Sequence, residues 1–253
     1  MSEQDLYKEL WELSFLVEDL VHGGWERPHP EPPTVPGEAP PLVAGSGERS
    51  EGKPTGGDDP ARTLGALHEQ VRACNRCDLA RTRRQAVPGT GRVGLPVMVV
   101  GEAPGADEDV KGEPFVGRAG QYLDKWLAAI GLQRGRDVFI TNVVKCRPPG
   151  NRDPRPDEIS ACLPFLEAQI ALVRPRAILT VGRFAASTLL GTQEGISRLR
   201  GRVYRYRDIP LVPTYHPSAV LRDPSLRRPV WEDLKLLSSV LRGEGAGVHD
   251  ASR

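Results

Sequence analysis

At 253 residues and 39% hydrophobic content, the chain is long enough for one sizeable core with further segments attached. No apolar run approaches the length of a membrane span and Met1 to Gly24 is charged throughout, so neither a membrane protein nor a signal peptide is expected. The net charge of +1 hides an asymmetry: residues up to Asp59 carry 13 acids and four Lys plus Arg, net −9, which leaves 20 acids and 30 bases, net +10, in Pro60 to Arg253. Such an imbalance points to a globular part that meets a polyanion and an acidic appendage that does not. Dispersed charge that only confers solubility is the plain alternative, and composition does not choose between the two.

Residues 1–24 open the chain as an amphipathic helix, with Leu6, Leu10, Leu13, Val17 and Leu20 at near-helical spacing over residues 3–22 and Gly23–Gly24 ending it. That helix either docks on its own globular domain or recruits a protein partner. Residues 25–59 are rich in Pro, Gly and Glu, without apolar periodicity, and read as a disordered linker. The globular domain is expected over 60–243. Asp59 is a good N-cap, Pro60 suits a first helical turn, and Leu64, Leu67 and Val71 form one face. Four short β-branched runs follow: VMVVG from Val97, VFITN from Val138, AILTVG from Ala177 and PLVPTY from Pro210. Helical patterns separate most of them, such as Tyr122 to Ile130 and Pro156 to Val173, and a last helix runs from Val230 to Leu241. Strands alternating with helices predict an α/β fold of three layers, α/β/α, around a central parallel sheet of four strands. Residues 244–253 read as a frayed tail.

The four cysteines form the pattern C-x2-C … C-x15-C, at Cys74, Cys77, Cys146 and Cys162. A C-x2-C pair alone is compatible with half a zinc site, a redox dithiol, part of an iron–sulfur ligand set or no function. In the cytoplasm, where this chain is expected to reside, thiols stay reduced, and four of them so arranged point to a metal or a cluster. Four thiolates around zinc fit the spacing as well as iron does.

Function in a parallel sheet gathers at the carboxyl ends of the strands. The first strand runs into GEAPGADEDVKGEPFVGRAGQ from Gly101, the second into TNVVKCRPPGNRDP from Thr141, and the fourth into TYHPSAVLRDP from Thr214. Together with the cysteine spacing, these segments resemble the signature motifs of the family 4 uracil-DNA glycosylases, from about Ala61 to Leu241. The resemblance implies a uracil-DNA glycosylase-like fold and a [4Fe–4S] cluster ligated by Cys74, Cys77, Cys146 and Cys162, one thiolate per iron. It implies hydrolysis of the N-glycosidic bond of uracil flipped out of single- or double-stranded DNA, by a monomer without membrane attachment.

Site roles follow the matched motifs. Phe115 is expected to stack on the flipped base, and Asn142 to read its edge, donating to O4 and accepting from N3–H. His216 would donate to O2 as negative charge develops there. Glu102 would position or activate the attacking water, with a smaller contribution than His216. Glu108 is expected near uracil C5, while Gly101, Ala103 and Gly105 supply backbone near the base. Gly117, Arg118, Gly120, Gln121, Arg147, Arg152, Ser218 and Arg222 are candidates for contacts to the DNA backbone. Family 5 enzymes share the cysteines but carry an apolar residue at the place of Glu102. A branch that bonds covalently to its product carries a histidine in the loop that reads CRPPGNRDPRPDE here. The remaining rival is a non-catalytic or polymerase-associated DNA-binding module that retains the fold.

Overall fold

The computed structural model describes residues 60–244, Gly247 and His249, so the expected N-terminal helix and linker lie outside the described residues. Five strands form one sheet: β1 (Val97–Gly101), β2 (Val138–Asn142), β3 (Ala177–Val181), β4 (Tyr204–Tyr206) and β5 (Ile209–Thr214), in the order β2-β1-β3-β5-β4. The four expected strands are there and parallel. To them the structure adds β4, an edge strand antiparallel to β5 that the expected four-stranded sheet lacked. Its three residues, YRY, are too short to carry a periodic signal.

Eight α-helices among the described residues cover the sheet: α1 (Pro60–Arg72), α2 (Ala106–Lys111), α3 (Arg118–Ala129), α4 (Pro156–Val173), α5 (Arg183–Leu190), α6 (Ile196–Leu199), α7 (Pro217–Arg222) and α8 (Arg227–Leu241). The parallel strands β1, β2 and β3 are buried on both faces, as β5 is over Leu211–Thr214, which is why they read as continuous apolar runs. On one face Met98, Val100, Phe139 and Ile178 pack with Leu64 and Val71 of α1 and Leu166 and Ile170 of α4. On the other Val99, Ile140, Leu179 and Val212 pack with Leu123 and Leu127 of α3 and Leu234 and Leu237 of α8. Each such side chain stabilises the fold by roughly 1.5–3 kcal/mol relative to exposure, so the three layers rest on two separate apolar seams.

Beyond β2 the chain stays fastened to its neighbour. The amides of Val143 and Val144 donate to the carbonyls of Gly101 and Glu102, both at 2.9 Å. On the outer side of β2, Thr90 and Ile140 exchange both backbone hydrogen bonds, again at 2.9 Å. In the stretch expected to be frayed, His249 donates its amide to Val203 O at 2.7 Å.

Candidate active site and cysteine recess

The carboxyl ends of β1 and β2 set Gly101 and Asn142 side by side in register. A Cβ on Gly101 would lie 2.4 Å from Asn142 Oδ1 and 2.5 Å from Phe115 Cζ, so glycine is what lets the amide and the ring meet there. Asn142 is buried, and its Oδ1 has no hydrogen-bond partner. Leaving such an acceptor unpaired costs about 1–3 kcal/mol, a cost that a donor on a bound ligand would relieve. Phe115 is buried and adopts φ of 55°, where a side chain other than glycine is strained by roughly 1–2 kcal/mol. Its ring lies 5.7 Å from that of His216, centroid to centroid, at an interplanar angle of 34°. The expected platform, reader and O2 donor thus converge.

His216 caps α7 at its N-terminus. Its Nδ1 accepts from the Ser218 amide at 3.2 Å and lies 2.7 Å from Ser218 Oγ. An Nδ1 that accepts leaves the ring proton on Nε2, directed away from its own helix. Burial, reinforced by the Arg222 charge, lowers the imidazole pKa to about 4, while Glu108 opposes the shift. His216 is therefore a neutral donor at physiological pH. Gly182, at φ of 95°, passes so close that a Cβ would lie 3.2 Å from His216 Cβ. Glu102 is half-buried, and burial first, then Asp153, raise its pKa to about 7, with Arg183 pulling it down.

The other expected residues divide into tied and free. Glu108, placed near uracil C5 by resemblance, has both carboxylate oxygens on backbone: Oε1 accepts from Val116 and Gly117 at 2.8 and 3.0 Å, and Oε2 from Gly105 at 3.1 Å. It fastens the loop that carries Phe115. Arg152 donates to both carboxylate oxygens of buried Glu158, at 2.9 and 2.6 Å, and Arg147 Nε donates to Asn151 at 2.7 Å. Both arginines thus already hold partners within the chain. Arg118, Gln121 and Arg222 are exposed, the first two at the start of α3, where Gly117 is the N-cap. A Cβ on Gly120 would lie 1.8 Å from the Phe115 carbonyl oxygen, so Gly120 serves the ring's loop rather than an open surface. Ala103 packs against the core on the α1 and α4 side.

All four cysteines line one recess, with Val71, Arg83 and Phe165 among its walls. Cys74 and Cys77 follow α1, Cys146 follows β2, and Cys162 lies on α4. The sulfurs already receive donors: Arg83 Nη1 reaches Cys146 Sγ at 2.9 Å, the Lys145 amide reaches Cys162 Sγ at 3.2 Å, and the Arg76 amide reaches Cys74 Sγ at 3.5 Å. Among the described residues no group of three or more His, Cys, Asp or Glu is drawn together as a single metal ion requires. Burial pushes the Cys146 thiol up to about 11, against the pull of Arg83.

Sequence reasoning missed Gly182 and Arg183 at the end of β3, although the rule that directed attention to the other strand ends covers them equally. It also missed Lys145, whose buried Nζ donates to Thr141 Oγ1, Asn142 O and Gln169 Oε1 at 2.6, 2.6 and 2.7 Å. A lone lysine between Val144 and Cys146 gives no sign of that role.

Comparison with known proteins places the chain in a family. Residues 88–235 match the family described as "Uracil DNA glycosylase superfamily". A type-4 uracil-DNA glycosylase of Pyrobaculum aerophilum is 48% identical over 181 residues, covering 68% of this chain and 92% of that protein. Its counterparts in Archaeoglobus fulgidus and Saccharolobus solfataricus are 43% and 44% identical, each over 70% of this chain and over 93% and 86% of their own lengths.

Proposed function

The chain belongs to the type-4 uracil-DNA glycosylases of the uracil DNA glycosylase superfamily, and from that premise we infer that it is a DNA-repair hydrolase that removes uracil and leaves an abasic site. The single observation that carries the reading is Asn142 Oδ1, buried without a partner beside an aromatic ring at the strand ends. Uracil presents N3–H to such an acceptor and O4 to the amide nitrogen, whereas cytosine presents the opposite pair.

The base must first leave the stack, because its glycosidic bond is unreachable in a duplex. Phe115 then offers the face on which it rests. As the bond breaks, electrons flow into the ring and O2 becomes anionic. Neutral His216 donates Nε2–H there and keeps its proton, because with the imidazolium pKa lowered to about 4 the ring is already neutral and its remaining N–H is a far weaker acid than uracil itself. Glu102, at about 7, is poised to be ionised above neutrality and to orient or deprotonate water attacking the sugar. Exposed Arg118 and Arg222 supply charge for phosphates in a stretch, Pro60 to Arg253, of net +10.

The cysteine recess fits a [4Fe–4S] cluster. Four thiols line one space, hydrogen-bond donors already point at three of the sulfurs, and four thiolates would hold four irons, one each. When bound, the cluster supplies a rigid tie between the loop after α1, the segment after β2 and α4. The thiol-rich site fits the reducing cytoplasm. A non-catalytic module is not favoured, because such a module has no use for the unpaired Asn142 amide.

Incubation with a uracil-containing oligonucleotide followed by alkaline strand cleavage tests the activity, with strand scission expected at the uracil alone. Intact oligonucleotide would overturn it. For the cluster, protein purified without air should hold about four irons per chain and absorb broadly in the visible; stoichiometric zinc with full activity would overturn that assignment.

A further inference from the structure

We propose that Arg134 is a positioning residue for base excision, holding the backbone that aims the Phe115 ring. The proposal rests on the excision reading above. Arg134 lies in the turn between α3 and β2, outside every motif that carries the resemblance. Its Nη1 donates to Pro114 O at 2.8 Å, its Nη2 to Phe115 O at 2.7 Å, and its Nε to Asp124 Oδ1 at 2.9 Å. One planar guanidinium therefore grips the carbonyls on both sides of the Phe115 Cα. Asp124, on α3, fixes the plane of the grip. The Arg134 side chain is only 24% exposed, so water does not compete freely for these bonds.

The grip matters because of what it holds. Phe115 has φ of 55°, a region that non-glycine residues leave unless the surroundings forbid it. Two groups forbid it here. Gly120 presses against the Phe115 carbonyl, where even a methyl group would lie 1.8 Å from the oxygen, and Arg134 holds the same oxygen by a hydrogen bond. Releasing the carbonyls lets the Phe115 backbone return toward negative φ, which swings the Cα–Cβ bond and with it the ring beside Gly101 and His216. Arg134 thus acts on the base only through Phe115. Lysine is no substitute, because one ammonium lacks the flat fork that meets two carbonyls and a carboxylate at once.

The test uses the full-length, cluster-bearing protein with Arg134→Met, Arg134→Lys, Phe115→Leu and the Arg134→Met/Phe115→Leu double variant. Single-turnover excision from a uracil oligonucleotide should fall about 10- to 100-fold for Arg134→Met, the scale of a misplaced contact group. Arg134→Lys should keep the parent melting temperature through its ion pair with Asp124 and still lose about tenfold. In the Phe115→Leu background, adding Arg134→Met should cost less than about threefold, because the ring it aims is gone. A second readout needs no substrate: in protein labelled with 4-fluorophenylalanine, the Phe115 fluorine line, identified by its loss in Phe115→Leu, should shift or broaden in Arg134→Met while the lines of the other four phenylalanines stay in place. Parent-rate excision by a folded Arg134→Met or Arg134→Lys variant, an undiminished loss in the Phe115→Leu background, or an unmoved fluorine line would each overturn the proposal. Should Arg134→Met fail to fold, Arg134→Lys decides the matter by the same rate and fluorine criteria. A parent protein that leaves uracil in place would overturn the excision reading instead, and the fluorine line alone would then judge Arg134.

Discussion

Around the four cysteines, polar groups are paired to one another. Arg83 alone reaches Cys146 Sγ, Cys74 O and Arg72 O, at 2.9, 2.7 and 3.0 Å. Around Asn142, only four residues back along the same strand end, the reverse holds: an amide oxygen is unpaired, a phenylalanine is strained, an imidazole is kept neutral and a carboxylate is held near 7. The recess has its polar groups paired, whereas the pocket, on the reading proposed above, is completed by an entering base. Lys145 joins the two, with its amide on Cys162 Sγ and its ammonium on the Asn142 carbonyl. Phe115 and Asn142 thus bring one strained backbone and one unsatisfied polar atom together at the proposed base pocket.

Breaking the pocket should give the largest effect. Asn142→Asp keeps the shape but removes the donor to O4 and sets two acceptors face to face, so uracil excision should fall about 30- to 1000-fold, equivalent to about 2–4 kcal/mol. Melting temperature and iron content should match the parent. Excision at the parent rate would show that another residue reads the base. The acidic side chain also suits the cytosine amino group, so weak excision from a mismatched or single-stranded cytosine substrate is expected.

Next comes Glu102→Gln, expected to slow excision by about 10²-fold at pH 8. The sign with pH is definite. Burial raises the carboxyl to about 7, so the base form is lost as pH falls through that value, and the parent rate should climb from pH 5 to 8 and then level. The variant should lack that climb, while His216, titrating near 4, contributes no slope in the range. A pH profile identical to the parent's would remove Glu102 from the chemistry.

Smaller still, Arg83→Met tests the paired side of the contrast. Loss of its hydrogen bonds to the cysteine loops should lower unfolding stability by about 1–3 kcal/mol while excision per folded, iron-loaded molecule changes little. A variant of parent stability but poor activity would invert the contrast. The weakest effect is expected for Arg222→Ala, which should loosen DNA only a few-fold and reduce the salt dependence of binding by about one counterion. An unchanged salt slope would place Arg222 off the DNA path.

How much of this was legible in the sequence follows from burial. Strands β1, β2, β3 and β5 announced themselves because both of their faces are covered, which leaves unbroken apolar runs. Helices α2, α6 and α7, of six, four and six residues, are too short for periodicity and are read only through their caps. Gly101, Phe115, Asn142 and His216 were found through their motifs, and the structure unites them. Glu108 was expected near the base, and the structure shows its carboxylate on backbone amides of the loop that carries Phe115, a role that in sequence looks the same as facing a substrate. Arg134 left no trace at all: its partners are main-chain carbonyls, which every residue possesses.

The two margins of the sheet bear on how the molecule behaves in a crowded solution. A bare strand edge is a template on which another chain can grow, and long flat edges seed aggregation. Here β4 is three residues long with Arg205 exposed at its centre, and the middle of β2 is covered by Thr90. Neither margin offers a run of free backbone on which a fibril could nucleate. A protein with an unpaired amide oxygen at its strand ends therefore meets its neighbours with edges that give them little to grip.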